Sequence, residues 1–162
     1  MTISEKLLEV RSHDAEGYKP VIDFETWRVA ILNYSESLCS EHITSMQRHN
    51  ETDEVFVLLN GRCILFLGQG DDTVTRVFAE DMKPATVYNV KRGAWHTHTL
   101  SEDAMVLIVE NRDTTYDNSP FCRLTESQQK EIDKLTRTLW PGEPDSSQSL
   151  DVGHHQRSTY RK

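Results

Sequence analysis

The chain has 162 residues and a formal net charge of -8, from 26 acidic and 18 basic side chains. That length suits one domain with one core, and the acidic balance argues against binding nucleic acid, whose phosphates need a basic face. Three cysteines, Cys39, Cys63 and Cys122, with no CxxC among them, argue against a disulfide framework or a thiolate zinc site.

The first residues are charged throughout and lack the apolar stretch of a secretory signal, and no apolar run approaches the roughly 18 residues of a membrane span. A soluble, cytoplasmic protein with no membrane partner is expected. Ser4 can cap a short helix to Val10, with a ragged apolar face of Leu7, Leu8 and Val10, inside an N-terminal segment 1–23.

Residues 24–34 are rich in aromatic and β-branched side chains and read as a strand, followed by a polar bend at 35–40 and a weaker strand at 43–49. Two apolar runs, 54–59 and 62–67, flank Asn60-Gly61, the dipeptide best suited to a type I′ hairpin. Further strands are predicted at 74–78, 86–90, 95–99 and 104–110, with turns at 68–72 and 91–93. Seven or eight short strands at regular spacing favour an antiparallel sandwich or barrel over 24–124. Helical periodicity appears only at 125–140, where Thr125 is the N-cap and Ile132, Leu135 and Leu139 share a face, until Pro141-Gly142 stops it. The polar, aperiodic stretch 141–162 reads as a disordered tail, and its His154 and His155 as solvated.

Two segments bring ligand-type side chains into these apolar strands. Residues i and i+2 of a strand face one way, so Gln47 pairs with His49, and His96 with His98. Glu54 follows His49 by five residues and could return its carboxylate to the imidazole across a hairpin. His96 must arrive from a distant strand, as a closed or nearly closed sheet would allow.

This spacing resembles the cupin superfamily. Its first motif, G-x5-H-x-H-x(3,4)-E-x6-G, is matched by Gln47-Arg48-His49, four residues, Glu54, six residues and Gly61; its second, G-x5-P-x-G-x2-H-x3-N, is met in part by Gly93 and His96. Gln47 replaces the first histidine, Lys91 the proline and Leu100 the asparagine, and the opening glycine is absent. The resemblance, over residues 24–111, implies a small all-β, antiparallel cupin-like barrel (a double-stranded β-helix or jelly roll) with short flanking helices. It also implies a divalent metal held by the motif residues.

His49, Glu54 and His96 then form a two-histidine, one-carboxylate set with open positions, compatible with Fe, Mn, Ni or Zn. Gln47 could add its amide oxygen, a weak ligand, and His98 could replace the missing ligand or act as acid/base. Among the activities that the cupin resemblance implies, the favoured one is a metal-dependent enzyme on a small polar metabolite, a sugar or a carboxylic acid, of isomerase/epimerase, lyase or dioxygenase type. The competing reading is a small-ligand binding or sensing module that has lost its metal, for which Gln47 is the argument. A homodimer is expected, since sheet edges in such barrels pair between subunits. Trp95, Tyr88, Phe56 and Phe66 read as core, His13 and His42 as surface, and the polar loop 111–120 as a barrel mouth.

Overall fold

The computed structural model describes residues 3–142, so the expected tail beyond Gly142, with His154 and His155, lies outside the described residues. Ten strands form two antiparallel five-stranded sheets. The first contains β1 (Gly17–Phe24), β2 (Trp27–Asn33), β9 (Met105–Asn111), β4 (Glu54–Asn60) and β7 (Val87–Val90), in that order. The second runs β10 (Phe121–Arg123), β3 (Ser45–Gln47), β8 (Trp95–Leu100), β5 (Cys63–Gln69) and β6 (Arg76–Asp81). The helix α1 (Glu126–Leu139) follows.

The period-2 pattern explains how the sheets meet. Ala30, Leu32, Phe56, Leu58, Val106 and Ile108 on the first sheet and Cys63, Leu65 and Leu100 on the second alternate inward and form one buried cluster. The opposite face of the second sheet is also buried: Met46, Ile64, Phe66 and Trp95 pack with Ile132 of α1 and with Trp140. A second side packed against a helix explains why β5 is apolar at successive positions instead of alternating. Thr125 and Gln128 cap α1 reciprocally, as the sequence suggests.

Three expectations change. Residues 4–10 make a turn, with the Leu7 and Leu8 amides donating to Ser4 O at 2.8 and 3.2 Å, and no helix. Leu7, Leu8 and Val10 are exposed, and a helix that short does not hold without a packed face. The first strand starts at Gly17, seven residues before Phe24, because β1 lacks the apolar alternation used to find strands and is recruited by pairing to β2.

The third change concerns Asn60-Gly61, which turns the chain without making a hairpin. β4 pairs with β7 and β9, whereas β5 pairs with β6 and β8. The chain crosses here between sheets alongside the β8–β9 connection. Arg62 N donates to Ser101 Oγ at 2.8 Å, Ser101 N to Arg62 O at 3.0 Å, and Asn60 Nδ2 to Asp103 O at 2.7 Å. Gly61, at φ +67°, leaves no space for a Cβ, which would stand 2.6 Å from Ala104 Cα. The two strand pairs β4–β9 and β5–β8 thus form one long ribbon folded over between open sheets. That fold brings distant residues together without a closed sheet.

Candidate metal centre

The site forms where the chain crosses between sheets at the other end of the ribbon. His49 lies in the β3–β4 connection, just beyond the end of β3, Glu54 is the first residue of β4, and His96 is the second of β8. Two sets of bonds hold these connections together. Gly93 N donates to His49 O at 2.8 Å, and Asp53 accepts from Arg92 N, Lys91 Nζ and Asn89 Nδ2 at 2.8, 2.9 and 3.0 Å. Register completes the approach, since Gln47 pairs with His96.

His49, Glu54 and His96 are all buried, and their ligand atoms lie within 4.8 Å of one another. Both histidines turn Nε2 toward the same oxygen, Glu54 Oε2, at 3.0 Å from His49 and 2.8 Å from His96. The far ring nitrogens decide what those Nε2 atoms carry. His96 Nδ1 is 3.0 Å from Ala94 O, which can only accept, so Nδ1 bears a hydrogen and Nε2 of the neutral ring is a lone pair. His49 Nδ1 is 2.7 Å from Ser119 Oγ, whose own hydrogen goes to Asn118 Oδ1 at 3.1 Å; the serine therefore accepts, and His49 Nε2 is again the free atom.

Both Nε2 atoms thus face Glu54 Oε2, and a divalent ion among the three would take the place of any hydrogen in the His49 Nε2 to Glu54 Oε2 contact. His96 Nε2, despite its 2.8 Å contact, is not aligned for a hydrogen bond and has no hydrogen-bond partner. Ligand atoms each about 2.1 Å from an ion and at right angles around it stand about 3 Å apart, which matches both contacts. The donor set fits a divalent ion: His49, Glu54 and His96 could hold one.

The electrostatics agree. Burial by itself raises the Glu54 carboxyl, yet its contacts with the two imidazoles outweigh burial and hold it at about 2, so it stays ionised. Burial lowers His49, but Glu54 as hydrogen-bond partner and charge pulls it above its ordinary value.

A cavity of about 630 Å³ opens beside the centre, lined by His49, Glu54, Gln47 and His98 among others. Gln47 borders this cavity and is not among the three converging residues. His98, two residues along β8 from His96, packs its ring at 6.0 Å from that of Phe56, and its Nδ1 has no hydrogen-bond partner. Burial pushes its pKa down to about 4, against the pull of Glu54, so it is neutral at pH 7. Phe56, Phe66 and Trp95 are buried, as expected. His13, expected at the surface, is buried with Nε2 3.2 Å from Gly17 O; His42 is exposed and bonded to Glu36 O.

Several cavity residues are not singled out one by one in the sequence, although loop 111–120 is expected there at the barrel mouth. Ser119, which orients His49, and Thr114, Thr115 and Tyr116 come from the polar loop 111–120. Tyr18 and Arg28 come from β1 and β2, and Glu110 from β9. Glu110 leaves a legible signal: it continues the inward positions Val106 and Ile108, where a carboxylate is costly to bury without a purpose.

No protein-family profile matches the sequence, and no curated protein matches it. Solved structures do match. CapF, crystallised with the inhibitor 3-isopropenyl-tropolone, aligns with a TM-score of 0.50 and 14% identity over 70% of this chain and 34% of its own. A cupin-2 domain-containing protein from Shewanella frigidimarina aligns at 0.44 with 14% identity over 62% of this chain and 85% of its own. Pac13, a nucleoside dehydratase of Streptomyces, aligns at 0.49 with 7% identity over 72% of this chain and 87% of its own. The chain has a cupin-like fold of two antiparallel five-stranded sheets, and the likeness concerns the fold alone. No helix among the described residues is long and apolar enough to cross a membrane.

Proposed function

We propose that the chain is a metal-dependent enzyme acting on a small polar metabolite, a sugar or a carboxylic acid, with His49, Glu54 and His96 holding one divalent ion. The observation that supports this most is the meeting of two oriented Nε2 lone pairs on one buried carboxylate oxygen, beside a cavity large enough for such a metabolite. Fe, Mn, Ni and Zn all suit the donor set.

An ion bound there supplies Lewis acidity to a substrate oxygen. The chain's own residues do the rest. Ser119 and Ala94 O fix the ring orientations of His49 and His96, which keeps both Nε2 atoms on target. His98, neutral and with Nδ1 unpartnered, accepts or returns a proton at the substrate oxygen, and Gln47 offers an amide oxygen or nitrogen to it. Leu32, Leu38 and Ile108 supply an apolar wall that limits water around the bound molecule.

Gln47 supports a second reading, a binding or sensing module without a metal, because a neutral amide stands where the motif has a histidine. Elemental analysis separates the two. Protein purified without added metal and then titrated with Fe, Mn, Ni and Zn is expected to take up one ion per chain, and His49→Ala or His96→Ala to lose it. No stoichiometric uptake, with unchanged behaviour in both variants, would sink the enzyme reading.

A further inference from the structure

The cavity has a second polar centre that the metal reading does not use. Glu110 is 7% exposed and lines the cavity. The register that pairs Val55 with Val109 places it beside Glu54 on the inner face of the first sheet, and Arg28 is its partner on the other side. It is nevertheless outside the converging His49, Glu54 and His96 group. The Tyr18 hydroxyl donates to its Oε1. No ion pair joins Arg28 to Glu110 among the described residues; Arg28 Nε donates to Asp23 Oδ1 at 3.0 Å.

We propose that Glu110 is the proton-transfer residue of this cavity, acting on a substrate carbon adjacent to a carbonyl oxygen held at the His49, Glu54 and His96 centre. The inference rests on the metal-dependent reading and deepens it. A buried carboxyl held in place by the Tyr18 hydroxyl keeps useful basicity, because burial disfavours its charged form. Glu54 and Arg28 flank it on the neighbouring strands.

The Glu110 carboxylate takes the proton, the C–H electron pair becomes part of a C=C bond, and the carbonyl π pair moves to the oxygen as an enolate. The neutral carboxyl then returns the proton to the same face of the same carbon, which gives exchange with retained configuration. His98 can meanwhile serve the oxygen, so that return at the neighbouring carbon gives isomerisation. Nothing is oxidised or reduced and no co-reactant is consumed. The substrate class is accordingly a carbonyl compound with an adjacent C–H, such as a ketose, an open-chain aldose or a 2-keto acid. Tyr18 is a positioning residue, and Tyr116, stacked at 5.8 Å on Phe121 beside the same cavity, offers a face to the distal part of the substrate.

The test uses metal-loaded protein in D2O with dihydroxyacetone, glucose and pyruvate as probes. Proton NMR follows loss of the α-proton signal, saturation-transfer NMR follows binding, and elemental analysis follows the ion. Wild type is expected to exchange the α-proton of at least one probe, and E110Q to keep the ion and bind the probe while losing exchange by about 100-fold or more, the scale of a general base. Y18F is expected to retain exchange with the acid limb of its pH profile moved upward, since the lost O–H donor had favoured the carboxylate. Exchange by E110Q at the wild-type rate, loss of probe binding in E110Q, or loaded wild type that exchanges no probe would each overturn the role of Glu110. Failure to take up metal at all would instead overturn the reading beneath it.

Discussion

At the scale of single residues, the far nitrogens of His49 and His96 matter as much as the near ones. Ser119 Oγ and Ala94 O each hold a hydrogen on Nδ1, and that is what makes two free Nε2 atoms out of two ambiguous rings. Ala94 acts through its backbone and would be hard to remove, but Ser119 can be tested. Ser119→Ala is expected to lower metal affinity by about 10- to 100-fold while leaving the fold intact, measured by competition with a chromophoric chelator. An unchanged affinity would mean that His49 is oriented by its packing alone. The three converging side chains, His49, Glu54 and His96, were legible because the motif spacing survives around Gln47. Ser119 was not, since a serine in a polar loop carries no pattern, and its role exists only once that loop folds over His49.

At the scale of elements, the clamp around Asp53 holds the β3–β4 and β7–β8 connections in register. Asp53 accepts from a backbone amide, a lysine and an asparagine, and these hold its carboxyl at about 2, below the ordinary 3.8. A depressed carboxyl stabilises the fold above its unfolded pKa and loses that contribution as pH falls through the folded one. The Asp53 contribution is therefore fully present above about 4 and fades as pH approaches 2. Urea midpoints of wild type and Asp53→Asn are expected to differ at pH 7 and to converge in acid; a gap that stays constant with pH would contradict this. The carboxylate is solvent-exposed, so the effect should shrink in high salt.

The same scale shows why a local signal can succeed at the turn and fail at the pairing. Asn60-Gly61 does reverse the chain, and Gly61 is required by its positive φ and by Ala104. Which strand pairs with which is decided elsewhere, by β9 and β8 taking the two neighbouring positions. Strands β1 and β10 were invisible for a related reason. Their residues are mostly exposed, so pairing rather than hydrophobic alternation defines them.

At the scale of the whole molecule, two open sheets face each other, one of them backed by α1, and the folded ribbon places the chain crossings at its two ends. One end is closed by the Asn60 to Ala104 corner, and the other carries His49, Glu54 and His96. Apolar alternation and motif spacing made that architecture readable over the central strands. The cavity was less readable, because Tyr18, Arg28 and Glu110 converge from three strands whose neighbours are set by sheet order.

The central claim is that these three side chains are the ligands of one ion, and X-ray absorption on metal-loaded protein tests it most directly. The account predicts a first shell of nitrogen and oxygen at about 2.0 to 2.2 Å with the outer-shell signature of two imidazoles. A shell of oxygen alone, or one containing sulfur from Cys39, Cys63 or Cys122, would contradict it.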